Sequence, residues 1–278
     1  MKTNKILTIA ALLLMFASCG AGSQKTTEME KRTQVKIETT EGNIVVELYN
    51  ETPKHRDNFI KLAQEGMYDS TLFHRVIRNF MIQAGDPDSK NAADTAMLGS
   101  SDVGYTIPAE FVPEFFHKRG ALAAARQGDN VNPERASSGC QFYIVTGRKF
   151  REAQLLDLVA QKNNNRVEEI FDTLVAKHRK EIFKLRKAGD DDALYELQDS
   201  LQSQAYALAK EEGPIQLSPE QVTAYTTVGG TPHLDGAYTV FGQVTEGMDT
   251  VEKIESAKTG RADRPVKNIR ILKTTVIE

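Results

Sequence analysis

The sequence predicts a mainly β domain with helices, interrupted late in the chain by an α-helical insertion. Apolar and polar residues alternate near both ends, in "QVKIETTEGNIVVELYN" and "NIRILKTTVIE", the period of strands with one buried face. Between about Phe150 and Leu217 that alternation stops, and apolar residues recur at helical spacing in charged sequence. The 278 residues suffice for one large domain with an elaboration.

The elements follow in order. Val35 and Ile37, a turn at Glu41-Gly42, then Ile44, Val46 and Leu48 form a hairpin. In "ETPKHRDNFIKLAQEG", Thr52 is the N-cap, Pro53 opens the helix, Phe59, Leu62 and Ala63 face inward and Gly66 ends it. "STLFHRVIRNFMIQAGD" carries two strands, and residues 87–104 read as a long loop. "YTIPAEF", "GALAAAR" and "CQFYIVTG" are further strands.

In the insertion, Leu155, Leu156 and Val159 mark a short leading helix. Val167, Ile170, Phe171, Leu174, Ile182 and Leu185 mark a long one ending at Gly189. A third starts at Asp190–Asp192, carries Leu194, Leu197, Leu201, Ala205 and Leu208, and stops at Gly213-Pro214. The two long helices each have one apolar stripe, so they are expected to pair as an antiparallel hairpin or to lie on the β domain. Ser218-Pro219-Glu220-Gln221 begins another helix with a capping box. Sheet sequence resumes in "HLDGAYTVFGQV", followed by a turn at Glu246-Gly247, a helix around Asp249 to Ile254 and the closing strand.

The N-terminus reads as a targeting segment. Two lysines precede an apolar run from Ile6 to Phe16, too short to span a bilayer, and then Ala17-Ser18-Cys19-Gly20. A cysteine after small residues resembles the lipobox of bacterial lipoproteins. Residues 1–18 are then a signal peptide, and 19–33 a lipidated Cys19 with a flexible tether. The expected location is the bacterial cell envelope, with the outer membrane favoured because Gly20 rather than aspartate follows the cysteine; a periplasmic face is expected, though Gly20 does not decide between periplasm and exterior. With Cys19 lipidated, Cys140 is the one remaining thiol, and no intrachain disulfide can form.

Composition excludes several functions. The net charge is −3, and no basic stretch is interleaved with aromatics, so no nucleic-acid partner is expected. His55, His74, His117, His178 and His233 are scattered without ligand spacing; no metal or cofactor is expected. There is no G-x-S-x-G elbow, no phosphate-cradling glycine loop and no base evident for Cys140. Any chemistry here proceeds without a covalent nucleophile.

"FHRVIRNFMIQAGD", "GCQFYIV" and "HLDGAYTVFG", in that order, resemble the three signature blocks of the cyclophilin family of peptidyl-prolyl cis/trans isomerases. The resemblance implies a closed eight-stranded antiparallel barrel capped by helices, spanning 34–149 and 228–278, with 150–227 as the helical insertion. It implies that Arg75 is the catalytic cation, held by Gln83, which also hydrogen-bonds the substrate backbone. Phe80, Met81, Tyr143 and Leu234 would grip the proline ring, and Gln141 lies beside them in the second block. Ala125 and Arg126 would lie on the strand that pairs with the peptide.

Three positions depart from the pattern. His233 stands where many members have tryptophan, which this chain lacks entirely. Tyr238 replaces the pocket histidine, and Arg126 an asparagine that acts mainly through its backbone. The missing tryptophan implies weak cyclosporin binding. The implied function is isomerisation of X-Pro bonds in exported or unfolded proteins by a monomer. The alternative is a proline-peptide-binding module or holdase chaperone with little catalysis.

Overall fold

A computed structural model describes residues 31–277. The expected signal peptide, the expected lipidation site Cys19 and most of the expected tether lie outside the described residues.

The first hairpin forms where expected. Strand β1 (Gln34–Thr39) pairs antiparallel with β2 (Gly42–Leu48), and Val35, Ile37, Ile44, Val46 and Leu48 are fully buried. Helix α1 (Pro53–Gln64) buries Phe59, Leu62 and Ala63 as its spacing predicts. Its cap is not the Thr52 side chain, whose hydroxyl turns back to the Tyr49 carbonyl. The Glu110 carboxylate instead accepts from the first-turn N–H groups of Lys54 and His55, at 3.2 and 3.1 Å. A carboxylate at a helix N-terminus satisfies orphan donors and complements the dipole.

Strands β3 (Arg75–Ile77) and β4 (Met81–Ala84) follow, then β5 (Thr106–Ile107), β6 (Ala121–Ala124), β7 (Ser137–Ser138) and β8 (Phe142–Val145). The stretch expected as an insertion folds as α2 (Glu152–Lys177), α3 (Arg179–Ala188), α4 (Asp191–Glu212) and α5 (Pro219–Thr227). Strand β9 (Val240–Glu246), α6 (Met248–Glu255) and β10 (Ile271–Ile277) complete the chain. The expected leading helix and the first half of the long one are continuous as α2. The break comes at His178, whose backbone leaves helical space (φ −92°, ψ 11°) while its ring Nδ1 takes the Leu174 carbonyl. Helices α2 and α4 pack together, with Arg166 paired to Glu212.

The principal sheet runs β10-β1-β2-β9-β6-β8-β4-β3, all antiparallel; β5 and β7 form a separate two-stranded sheet. The expectation of a closed barrel is corrected here. The sheet curls, yet β10 and β3 do not pair and remain edges; contact between their ends runs through the residues before β3, with a bridge at Leu72–Arg270 and the Ser70 N–H donating to Ile271 O. Strand β3 is three residues long and too short to carry a closing ladder.

Strands β4, β6 and β8 are buried on both faces. Ile82, Ala84, Leu122, Ala124, Phe142 and Ile144 point into the main core, closed by Phe59 of α1 and by Val251 and Ile254 of α6. Their neighbours Met81, Ala121, Ala123, Tyr143 and Val145 build a second cluster on the opposite face, with Val240 of β9. The period of two assigns alternate residues of one strand to core and to site.

Candidate active site

Arg75 and Gln83 are directly opposite each other across the β3–β4 ladder, and Gln83 is opposite Tyr143 across β4–β8. The turn between β3 and β4 puts Asn79 in left-handed space (φ 59°) and sends Phe80 to the same face as Met81. Arg75, Phe80, Met81, Gln83 and Tyr143 line a cavity of about 350 Å3, together with Ala125, Arg126, Leu234 and Tyr238.

Arg75 is not a core cation. Its side chain is 42 % exposed at the cavity, with Nε 3.5 Å from Asp263 Oδ2. A half-exposed pair of that length stabilises by less than about 1 kcal/mol, so Asp263 aims the guanidinium without neutralising it. Gln83 does not accept a hydrogen bond from the Arg75 guanidinium, as the resemblance implied it would. Its Nε2 donates to Gln141 Oε1 at 2.9 Å, because Gln141 is itself fixed through Nε2 to the carbonyls of Gly99 and Ser101. Gln141 therefore sits beneath the cavity, behind Gln83, and does not line it. The Gln83 Oε1 acceptor has no hydrogen-bond partner among the described residues.

His233 is also displaced from the expected lining. It stacks on Phe80 from outside (centroids 5.6 Å, 24°) and props that ring; burial lowers its pKa. Ala125 lies beyond the end of β6, and its N–H and C=O are already bonded to Gln141 and Ser138. Among the described residues, the Arg126 backbone has no backbone partner, so it rather than Ala125 can pair with a peptide. The Arg126 guanidinium lies 4.4 Å over the Tyr238 ring and donates to Ala237 O and Asp129. The two departures at 126 and 238 thus touch, the cation bracing the aromatic wall.

One wall escaped sequence reasoning. Ala96–Gly99 and Arg261–Arg264 close the cavity opposite the sheet. Buried Arg264 ties them together, donating to the carbonyls of Ala93 and Ala96, both at 2.9 Å. Ala262 and Asp263 are both left-handed, which turns the Asp263 carboxylate toward Arg75. The available signal was Asp86, at the end of the first signature block: its carboxylate accepts from Asp88 N and Gly99 N and anchors that loop.

His74, beside Arg75, is 3 % exposed, and neither ring nitrogen has a hydrogen-bond partner among the described residues. Burial lowers its pKa to about 4, against a smaller opposing pull from Asp86. Below about pH 6.5 the unfolded chain binds a proton that the folded chain refuses until about 4. The stabilising contribution is therefore complete above that range and is lost as pH falls toward 4. His55 is shifted the same way, chiefly by burial, with Glu110 opposing. Melting temperature is expected to fall from pH 7 to pH 4.5, and the slope to flatten in His74→Leu. An equal slope in the variant would refute the assignment to His74.

Comparison with known proteins agrees with this geometry. The profile described as "Cyclophilin type peptidyl-prolyl cis-trans isomerase/CLD" matches residues 34–176 and 220–276. A Staphylococcus saprophyticus protein whose name assigns it to the peptidyl-prolyl cis-trans isomerases is 32 % identical over 243 residues, covering 87 % of this chain and 90 % of its own. Gibberella zeae peptidyl-prolyl cis-trans isomerase-like 1 is 28 % identical over 248 residues, covering 88 % and 96 %. A cyclophilin-type isomerase of Cryptosporidium parvum superposes with a TM-score of 0.52 at 20 % identity, covering 89 % of this chain and 98 % of its own. It is also known in the presence of the dipeptide Ala-Pro (TM-score 0.51, 20 % identity, coverage 88 % and 99 %). The profile match and the 32 % relative, with the three blocks converging on one cavity, place the chain in the cyclophilin-type peptidyl-prolyl cis-trans isomerase family.

Proposed function

We propose that this isomerase acts by stabilising a twisted prolyl amide with Arg75. The observation that carries the reading is the shared cavity: the guanidinium, with Nη1 and Nη2 unbonded among the described residues, faces the same space as Phe80, Met81, Tyr143, Leu234 and Tyr238. That apolar wall suits a pyrrolidine ring, and the related Cryptosporidium protein is known in the presence of Ala-Pro.

An X-Pro bond resists rotation because resonance makes its C–N bond partly double, with a barrier of about 18–20 kcal/mol. Twisting breaks that resonance and localises the lone pair on nitrogen. A fixed cationic donor aimed there favours the twisted amide over both planar forms, and only such a preference accelerates the reaction. Gln83, braced through Gln141, offers Oε1 to hold the substrate backbone or the Arg75 fork, and the Arg126 backbone pairs with the peptide. No bond is broken, so neither a nucleophile nor a cofactor is required.

The substrates on this reading are proline-containing segments of exported or unfolded proteins, met at a membrane to which Cys19 tethers a monomeric enzyme. The N-terminal sequence supports that location, and Cys19→Ser is expected to shift the protein from the membrane to the soluble fraction. Catalysis is tested by a protease-coupled isomerisation assay on an X-Pro tetrapeptide. Acceleration that depends on Arg75 supports the proposal. Binding of proline peptides without acceleration would leave the binding-module reading in its place.

A further inference from the structure

Helix α5 is joined to the proline pocket by a continuous chain of hydrogen bonds. Asp235, 14 % exposed, is shared between them. Its Oδ1 accepts from the backbone N–H and from ring Nδ1 of His117, both at 2.9 Å. Its Oδ2 accepts from the hydroxyl of Tyr225 at 2.5 Å and from Gln221 Nε2 at 3.4 Å, both on α5. With His117 Nδ1 donating to the carboxylate, Nε2 is the acceptor, and the Tyr143 hydroxyl donates to it at 3.0 Å. Tyr143 is a wall of the cavity.

All three rings of this chain are almost completely buried: Tyr225 at 0 %, His117 at 1 % and Tyr143 at 4 %. A buried hydroxyl without a partner is costly, so Tyr143 cannot rotate without breaking the bond to His117. The ring is further held edge-on by Tyr238 (centroids 6.1 Å, 80°) and parallel to His117 (6.1 Å, 14°). On the insertion side, Leu155 of α2 and Tyr225 of α5 pack around Phe116, the neighbour of His117. Lys162 of α2 reaches the carbonyls of Pro232 and Asp235, which bracket His233 and Leu234. Where the chain leaves and re-enters the sheet, Gly147 and Gly230 pass so closely that a Cβ at Gly147 would overlap the Gly230 carbonyl.

We propose that helix α5 positions the proline pocket: its Tyr225, through Asp235 and His117, sets the orientation of the Tyr143 ring. Tyr225, Asp235 and His117 are positioning residues that act through Tyr143 and never touch the substrate. The proposal rests on the reading that the cavity seats the prolyl ring. Its physical content is that truncating one hydroxyl on α5 loosens a wall on the opposite side of Asp235.

The test is a double-mutant cycle on the full chain with Tyr225→Phe and Tyr143→Phe, each keeping its ring and removing one hydroxyl. Coupled residues depart from additivity, whereas a purely structural loss acts alike in both backgrounds. Tyr225→Phe is expected to lower kcat/KM about fivefold in the wild-type background and by less than about twofold once Tyr143 is phenylalanine. Equal effects in both backgrounds, or none in either, overturn the proposal. A second readout needs no turnover. In a fluorotyrosine-labelled chain, the resonance assigned to Tyr143 by its loss in Tyr143→Phe is expected to shift or broaden in Tyr225→Phe. An unchanged resonance overturns the coupling even if catalysis is absent, so failure of the pocket reading and failure of the coupling give different results.

Discussion

Replacing Arg75 with alanine is expected to lower kcat/KM by about a hundredfold or more, because one preorganised donor at a developing charge is worth about 10²–10³ in rate. The loss should fall on catalysis and leave stability almost untouched. Arg75 sits on a three-residue edge strand, its side chain is 42 % exposed, and its ion pair with Asp263 is long and wet. Melting temperatures of wild type and variant should therefore agree closely. Arg75→Lys keeps the charge but loses the planar fork, so it should recover only part of the rate. Equal kcat/KM for wild type and Arg75→Ala in the protease-coupled assay would end the assignment.

Phe59→Ala is expected to do the reverse. Phe59 is 2 % exposed, with ring centroids of Tyr68, Phe142 and Phe241 at 4.9, 5.3 and 5.5 Å. Emptying that position removes the transfer energy of a phenyl group and leaves a cavity among rigid rings, a cost of about 3–5 kcal/mol. The melting temperature should fall by about 10 °C or more. Phe59 and Phe142 belong to the core face of the sheet, whereas Met81 and Tyr143 belong to the other. The folded variant should accordingly keep its kcat/KM below the transition, as urea titration and assay on one preparation would show. A catalytic loss as deep as that of Arg75→Ala would mean that the two faces are not mechanically separate.

These two residues also show where sequence reasoning succeeds. Phe59, Leu62 and Ala63 announce a helix face by spacing alone, and the alternation of β1 and β2 announces strands, because local periodicity and burial agree there. Arg75, Phe80, Met81, Tyr143, Leu234 and Tyr238 converge on one cavity because their blocks fall on adjoining strands and loops. The failures have a different cause. The cap of α1 comes from Glu110, 55 residues beyond His55, and the brace on Gln83 from Gln141, 58 residues away. No local pattern encodes such partners. The open edge between β3 and β10 is likewise a matter of how far two ends of a curling sheet travel, which alternation does not state. The break at His178 carries neither glycine nor proline, and Asp263 reaches Arg75 only because two consecutive residues adopt left-handed backbone.

The doubly buried strands have a consequence for binding itself. A sheet covered by helices on one side and partly covered on the other is a sandwich with a piece missing, and the gap lies over Met81 and Tyr143. A substrate prolyl ring entering there takes the place that a side chain from a second layer would fill. On the proposed reading, shape and dryness recognise the ring, while Gln83 and the Arg126 backbone recognise the peptide backbone around it. The ring behaves as a guest core residue, borrowed from another protein for the time one bond takes to turn.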